Sequence, residues 1–262
     1  GAEFIRDVLP GEIVTITKDG IKSDTSLCQK NTARCVFEYI YFARPDSKID
    51  GMGVYESRVN AGRILAKTHP VEADLVVGVP ESGNQAALGY SMESGIPYGN
   101  AFIKNNYVGR TFIKPKQEQR GEVFSNNIVK ESVKVKLNVL KEVVAGKRVI
   151  MIDDSIVRGT TSSRIINLLR QAGAKEVHVR ISSPAFLHPC YFGTDIPSED
   201  QLIASGRTVE EICKEIGADS LGYLETDKLS EMICNQTGFC DACFTGNYPI
   251  EPPTTDIRGE MG

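Results

Sequence analysis

The sequence predicts an α/β protein with a mainly parallel central sheet flanked by helices. Short, continuously apolar segments alternate along the chain with longer segments of helical periodicity, the pattern of strands that helices cover on both faces. The chain has 262 residues and is 41% hydrophobic, so it can bury one large domain with appendages. These two observations together favour a single sheet-based core.

The first hundred residues are predicted to contain two kinds of strand. Residues 1–21 alternate apolar and polar side chains about Gly11, which predicts a pair of half-buried strands. Helical periodicity follows over 56–67, and the apolar segment Ala73–Val79 (ADLVVGV) predicts a buried strand. A short strand is expected at 101–104.

The second half of the chain repeats the alternation of strand and helix. A buried strand at 148–152 precedes a helix at 162–171, which Gly173 ends, and a further strand follows at 176–182. Weaker patterns predict a helix at 208–216, a strand at 220–224 and a helix at 226–233. One more helix is predicted from the apolar residues Val133, Leu137, Leu140 and Val144.

Charge and hydropathy exclude two classes of function. The formal net charge is -4, whereas nucleic-acid binders usually present a basic face. No apolar run approaches the roughly 20 residues that cross a bilayer, and no export signal is present at the start. We therefore expect a cytoplasmic protein that binds neither nucleic acid nor membranes.

The segment Val149–Leu169 (VIMIDDSIVRGTTSSRIINLL) predicts a ligand site. Asp153 and Asp154 follow a buried strand, and ligands of open α/β sheets bind beyond the carboxyl ends of the strands. Two adjacent carboxylates need a cation or hydroxyl donors, while the turn through Gly159 into a helix offers N–H groups to a phosphate. The combination predicts a ribose 5-phosphate site; the alternative is a helix cap with surface acids.

Several motifs carry a resemblance to a known family. The segment VIMIDDSIVRGTT resembles the phosphoribosyl pyrophosphate (PRPP) signature of the type I phosphoribosyltransferases. Other segments resemble the glutamine PRPP amidotransferases, or amidophosphoribosyltransferases: YIYFARPDS (39–47), YESRVNAGRILA (55–66), GVPESG (78–83), IKNNYVGRTFIKP (103–115) and CFTGNYP (243–249). The resemblance implies the type I phosphoribosyltransferase fold and transfer of the phosphoribosyl group of PRPP to ammonia, the first committed step of purine synthesis.

The same resemblance implies roles for individual residues. The PRPP-binding residues would be Asp153, Asp154, Ser155, Arg158, Gly159, Thr160, Thr161, Glu81, Ser82 and Gly83. Mg²⁺ would be held by Ser82, Asp153 and Asp154. A catalytic lid over the departing pyrophosphate would contribute Lys104, Arg110 and Thr111, within a segment of five basic residues and one acidic residue (104–120).

The seven cysteines predict free thiols or metal ligands, because an odd number without an export signal argues against disulfides. Cys213 falls on an apolar helical stripe and is predicted to be a core residue. Cys240 and Cys243 form a C-x2-C pair, for which spacing alone leaves zinc and iron–sulfur open. The resemblance implies a [4Fe–4S] cluster that ties the start of the domain to its end, with ligands Cys35, Cys190, Cys240 and Cys243.

The resemblance also implies a domain division. Residues 1–30 would be the end of a glutaminase (Ntn hydrolase) domain and a linker, residues 31–250 the phosphoribosyltransferase domain, and residues 251–262 a tail. No cysteine that could attack glutamine precedes Cys28. We therefore expect synthesis from ammonia alone.

The expected assembly and regulation also come from the resemblance, and two other functions are possible for the same fold. The resemblance implies a dimer or homotetramer inhibited by AMP, GMP, ADP or GDP. One alternative is a regulatory module that binds PRPP or nucleotides without chemistry, and the lid segment 104–112 argues against it. The other is a salvage phosphoribosyltransferase, and the four cysteines and the GNYP motif argue against that.

Overall fold

A four-stranded parallel sheet forms the centre of the chain in the computed structural model, which describes residues 3–28, 32–104, 137–196 and 198–252. The strands of this sheet are β6 (Leu75–Gly78), β9 (Arg148–Asp153), β10 (Glu176–Ile181) and β11 (Ser220–Tyr223), in the order β11-β10-β9-β6. The shorter strands are β1 (Ile13–Thr17), β2 (Gly20–Asp24), β3 (Arg34–Cys35), β4 (Lys48–Ile49), β5 (Met52–Gly53), β7 (Phe102–Lys104), β8 (Leu137–Val139) and β12 (Phe239–Cys240). All neighbours in the central sheet run parallel, as predicted.

Helices cover both faces of this sheet. They are α1 (Val54–Thr68), α2 (Gly83–Ser94), α3 (Lys141–Val144), α4 (Thr160–Gln171), α5 (Val209–Ile216), α6 (Leu229–Met232) and α7 (Ala242–Thr245), besides a π-helix at Glu38–Phe42 and 3₁₀ turns at Glu199–Gln201 and Thr226–Lys228. Within the described ranges, none of the helices has the length and apolar character that crossing a bilayer requires.

The side chains of alternate strand residues pack into two separate hydrophobic cores, one on each face of the sheet. Val76 and Ile150 pack into one core with side chains of α1 and α2. Val77 and Met151 pack into the other core, to which α4 and α5 contribute Ile165, Ile166, Leu169, Ile212 and Ile216. This period of two, with both faces buried, explains why the strands are continuously apolar in sequence.

Two sequence predictions are wrong in detail. The helix predicted from Val133 to Val144 is a strand and a short helix over its described part: Leu137 belongs to β8, which pairs antiparallel with β7, and α3 begins only at Lys141. Leu137 in the strand and Val144 in the short helix that follows happen to be spaced as apolar residues of a single helix would be. The N-terminal strands pair over 13–24, so their turn lies at residues 18–19 and Gly11 precedes them.

Helices α1 and α2 cross at two glycines. A Cβ atom added to Gly62 would lie 1.8 Å from the carbonyl oxygen of Ala86, and one added to Gly89 would lie 1.9 Å from that of Val59. Both distances are far below van der Waals contact, so the backbones touch only because neither residue has a side chain. This crossing fixes α1 beside α2, and α2 begins at the carboxyl end of β6.

Candidate functional site

A buried pair of aspartates ends strand β9. Asp153 is its last residue and Asp154 follows it, and each is only 7% exposed. The backbone N–H of Asp154 donates to Oδ1 of Asp153 at 2.9 Å. The hydroxyl of Ser82 donates to Oδ2 of Asp154 at 2.5 Å, and the hydroxyl of Ser155 donates to Oδ1 of the same carboxyl group. Asp154 is therefore held by hydroxyl donors on both oxygens.

The environment of the pair favours the protonated state. Burial, and then the charge of Asp154, raise the pKa of Asp153 well above its ordinary value. Burial also raises the pKa of Asp154, although hydrogen bonds from Ser155 and Ser82 and the charge of Arg58 oppose this effect. Two carboxyl groups with raised pKa values at a strand end form a site that a cation or hydroxyl-bearing ligand would complete.

The loop of residues 154–159 turns directly into helix α4. Gly159 precedes the helix with a φ of 76°, and a Cβ atom there would lie 2.4 Å from Cδ1 of Ile203. The backbone angle favours glycine, and a side chain there would also have to displace the end of the Ile203 side chain. Thr160 and Thr161 form the exposed first turn, where N–H groups without helical partners and the helix dipole favour an anion.

A second loop, of residues 79–83, approaches the aspartates from strand β6. Its Pro80–Glu81 peptide bond is cis, and Ser82 immediately precedes α2. Gly83 packs against the end of β9, since a Cβ there would lie 2.4 Å from the carbonyl oxygen of Ile152. This close packing brings the Ser82 hydroxyl to Asp154.

A lysine lies at the edge of the site. Lys104, the last residue of β7, places its Nζ atom 3.5 Å from Oε1 of Glu81, and both side chains are largely solvent-exposed. Of the predicted lid residues, Arg110 and Thr111 lie outside the described residues. The sequence-predicted PRPP-binding positions in the two loops and the start of α4 are thus all brought to one edge of the sheet, with Lys104 beside them.

Two contributors to this region escaped the sequence analysis. Arg58 of α1 is buried and donates to the carbonyl oxygens of Tyr39, Tyr41 and Ala43, at 3.0, 3.0 and 2.8 Å, while its charge acts on Asp154. Gln201 accepts a hydrogen bond from Arg158. Nothing in the local pattern indicates either role, because each depends on a contact between distant parts of the chain.

The four cysteines of the predicted cluster converge elsewhere on the chain. Cys35 of β3 lies opposite Cys240 of β12 in a short parallel ladder. The carbonyl oxygen of Cys243 accepts hydrogen bonds from the N–H groups of Leu187 and His188, at 3.0 and 3.1 Å. These contacts bring the segment that contains Cys190 to the same place.

The thiols affect one another electrostatically. Burial raises the pKa of Cys243, and the neighbouring Cys35, Cys190 and Cys240 raise it further. Burial also raises the pKa values of Cys35 and Cys240, and the charge of Cys190 raises both values further. Ionisation of one of these thiols therefore disfavours ionisation of its neighbours.

Backbone amides point at three of these sulfurs. Burial would raise the pKa of Cys190, but hydrogen bonds from the backbone of residues 192–194 outweigh it and lower the value. Backbone hydrogen bonds also reach Cys35, from Phe37 and Glu38, and Cys240, from Ala242. Among the described residues, no group of three or more histidine, cysteine, aspartate or glutamate side chains is arranged to hold a metal ion.

Comparisons with known proteins agree on one family. The chain is 51% identical over 257 residues to the amidophosphoribosyltransferase of Archaeoglobus fulgidus, covering 97% of the chain and 54% of that relative. It is 50% identical over 256 residues to the Bacillus subtilis enzyme of the same name, covering 96% and 52%. The chain is homologous to amidophosphoribosyltransferases. No protein-family model matches it.

Solved structures give the same result for the fold. The glutamine PRPP amidotransferase of B. subtilis, in complex with ADP and GMP, superposes with a TM-score of 0.80 at 49% identity over 95% of the chain and 54% of that structure. A structure described as the allosteric regulatory enzyme of purine biosynthesis gives a TM-score of 0.81 at 49% identity, over 95% and 53%. The predicted type I phosphoribosyltransferase fold is confirmed.

The chain spans about half the length of its amidophosphoribosyltransferase relatives. The matched half contains the aspartate pair, the two loops and the four cysteines. What those complete enzymes do is therefore a proposal for this chain.

Proposed function

We propose that the chain is the phosphoribosyltransferase part of an amidophosphoribosyltransferase. It transfers the phosphoribosyl group of PRPP to ammonia, which the complete enzyme takes from glutamine, and yields 5-phosphoribosylamine and pyrophosphate. The observation that carries this proposal is the buried pair Asp153–Asp154, in which Asp154 accepts two hydroxyl hydrogen bonds, beside the open N-terminus of α4. A hydroxyl site next to an anion site matches the two ends of a ribose 5-phosphate.

The aspartates would bind the ribose. The hydroxyls of Ser82 and Ser155 already donate to Asp154, so its oxygens lie where hydroxyl donors reach them. Hydrogen bonds to an ionised acceptor are stronger than neutral ones, and two vicinal ribose hydroxyls can supply them to the pair. The N–H groups at Thr160 and Thr161, with the charge of Arg158, would bind the 5-phosphate. Ser155, whose hydroxyl donates to Asp154, would contribute to PRPP binding by holding that carboxyl group in place.

The chemistry at C1 of the ribose exchanges one bond for another. The bond to the pyrophosphate oxygen breaks with its electron pair, the bond to the ammonia nitrogen forms, and the nitrogen then loses one proton to solvent. The ribose carries positive charge in this transition, while the leaving group gains negative charge. Lys104, with Arg110 and Thr111 of the proposed lid, would stabilise the departing charge.

A magnesium ion fits the same region. Ser82, Asp153 and Asp154 would hold it, because buried carboxylates and a hydroxyl are the oxygen ligands that Mg²⁺ prefers. When bound, the ion would neutralise the pyrophosphate. Glu81, Ser82 and Gly83 would contact the pyrophosphate through the 79–83 loop.

The four cysteines have the donor chemistry of an iron–sulfur site, since [4Fe–4S] clusters are held by four cysteine thiolates. The amides that point at Cys35, Cys190 and Cys240 match the hydrogen bonds that tune cluster sulfurs. We infer that Cys35, Cys190, Cys240 and Cys243 hold a structural cluster.

Further parts of the proposal concern assembly. Residues 1–30 would be the end of a glutaminase domain, which is consistent with the exposed apolar side chains of Phe4, Ile5, Val8, Leu9 and Ile16. Residues 31–250 would form the transferase domain and 251–262 a tail. The relative solved with ADP and GMP supports nucleotide binding by this chain. Inhibition by AMP, GMP, ADP or GDP, a dimer or homotetramer, and a cytoplasmic location are proposed from the family resemblance alone.

Pyrophosphate release tests the proposed reaction. We expect the chain to release pyrophosphate from PRPP and Mg²⁺ only when ammonium is added, and more rapidly as rising pH increases free ammonia. Adenine, guanine or hypoxanthine should not replace ammonium. PRPP binding without release would support a regulatory module, and release that depends on a purine base would support a salvage enzyme; either result would contradict the proposal.

Iron content tests the cluster. Replacing Cys243 by serine is expected to remove a ligand, so that anaerobically purified protein loses most of its iron and its visible absorbance. The matched control is Cys213→Ser, since Cys213 is a half-buried thiol that bonds to the carbonyl oxygen of Ala218. The cluster assignment fails if the unaltered chain folds without iron, or if the two variants lose iron equally.

A further inference from the structure

We propose that Gln201 is a positioning residue for Arg158, the cation of the 154–159 loop. The inference rests on the proposed function, in which Arg158 binds the 5-phosphate. Nη2 of Arg158 donates to Oε1 of Gln201 at 2.6 Å, and both side chains lie at the surface. This contact joins residues 43 positions apart in the chain.

Gln201 is well placed to act as an anchor. Its own Nε2 donates to the hydroxyl of Ser198 at 3.4 Å, which turns Oε1 towards the arginine. On one side, Glu199 pairs with Nδ1 of His188 at 2.9 Å. On the other, the buried side chains of Leu202 and Ile203 hold the chain. The glutamine therefore extends from a backbone that is fixed at both ends.

The segment that carries Gln201 also holds the loop directly. The N–H of Ile203 donates to the carbonyl oxygen of Val157 at 2.8 Å. The side chain of Ile203 occupies the space that a side chain at position 159 would need. Backbone and side-chain contacts thus join residues 201–203 to the loop on both sides of Arg158.

The chemistry of the partner matters. A glutamine amide is neutral, so it orients the guanidinium without neutralising its charge and engages only one of its five N–H donors. A carboxylate at the same place would compete with a phosphate for the arginine. The neutral anchor leaves the charge and the remaining donors available to an anion, and lowers the entropy that Arg158 loses on binding.

Ligand affinities test this role. The change is Gln201→Met, which keeps the length of the side chain and removes the acceptor. We expect the dissociation constant of ribose 5-phosphate, measured by calorimetry on the full chain, to rise roughly three- to ten-fold. The dissociation constant of magnesium pyrophosphate should stay within about two-fold, because the pyrophosphate would bind the other loop; a general loss of structure would weaken both ligands.

Two further variants show whether Gln201 acts through Arg158. Adding Gln201→Met to Arg158→Met should weaken ribose 5-phosphate binding no further. Gln236→Met is the matched control, since it breaks a similar bond, from Nη1 of Arg34 at 2.9 Å, away from the loop. That variant should bind ribose 5-phosphate as the unaltered chain does.

The outcomes separate this inference from the proposed function. If the unaltered chain binds ribose 5-phosphate and Gln201→Met binds it with the same dissociation constant, the positioning role is overturned. The proposed function stays in place in that case. The positioning role would also be overturned if Gln201→Met weakened ribose 5-phosphate binding as much in Arg158→Met as in the unaltered chain. The same holds if Gln201→Met weakened binding of magnesium pyrophosphate as much as binding of ribose 5-phosphate. If the unaltered chain bound neither PRPP nor ribose 5-phosphate, the proposed function and this inference would fall together.

Discussion

Replacing Asp153 by asparagine is expected to weaken PRPP binding by roughly ten- to a hundred-fold and to raise the free energy of unfolding by about 1 kcal/mol. Binding weakens because hydrogen bonds between ribose hydroxyls and an ionised acceptor are lost. Stability rises because the substitution removes a charge that is both buried and repelled by Asp154. Asparagine keeps the oxygen that accepts from the N–H of Asp154.

The pH dependence of stability checks the physical cause. Folding raises the pKa of Asp153, so the folded chain holds this proton more tightly than the unfolded chain does. The free energy of unfolding should therefore fall as the pH rises from the ordinary aspartate pKa towards the raised value. Asp153→Asn lacks the contribution of Asp153 and keeps only that of Asp154, whose pKa burial also raises. The fall should therefore be smaller in the variant, and its stability advantage should be small in acid and grow towards neutral pH.

The measurement is denaturant unfolding without Mg²⁺ at several pH values, combined with calorimetric titration of PRPP. Asp19→Asn is the control, because Asp19 is exposed and lies in the turn between β1 and β2, outside the central sheet. Its unfolding curve and PRPP affinity should match those of the unaltered chain. A destabilised Asp153→Asn that still binds PRPP normally would refute the role assigned to the pair.

Replacing Gly89 by alanine is expected to lower the free energy of unfolding by about 3 kcal/mol, the upper range for an overpacked site. The added Cβ would lie 1.9 Å from the carbonyl oxygen of Val59, and a backbone atom cannot rotate away as a side chain can. The alanine also favours the helix by up to about 1 kcal/mol, which offsets only part of the cost. Gly62→Ala should behave alike, since its contact with Ala86 is equally close.

Gly53→Ala provides the comparison for the helix crossing. Gly53 precedes α1, the helix that carries Gly62, and an added Cβ would meet only the side chain of Glu56, at 3.9 Å. Its effect should stay below about 1 kcal/mol. Equal unfolding free energies for Gly89→Ala and Gly53→Ala would show that α1 and α2 separate without cost.

The central strands could be predicted because both of their faces are buried. Continuous apolar character predicted strands at 148–152 and 176–182, and the structure has Arg148–Asp153 and Glu176–Ile181. The helix at 162–171 begins two residues earlier, at Thr160. By contrast, the residues near Leu137 pair with a distant strand, and no local pattern reveals that partner.

The residues of the candidate site also fall into two groups, those that a local sequence pattern predicts and those that it does not. Adjacent aspartates and a glycine turn are local features, so Asp153, Asp154 and Gly159 could be selected from sequence. Arg58 and Gln201 could not, since their contacts join segments that meet only in the folded chain. The π-helix after Cys35 was also missed, because the aromatic residues around it have no helical spacing.

The ladder between β3 and β12 has a consequence for the order of folding. It joins Cys35 to Cys240 through two residue pairs, across about 200 residues of intervening chain. So short a ladder cannot compensate for the entropy of closing so long a loop until the central sheet has already brought its ends together. We therefore expect the thiols to meet late, so that an inorganic centre inserted there would act as a cross-link on a domain that is already assembled and would chiefly slow its unfolding.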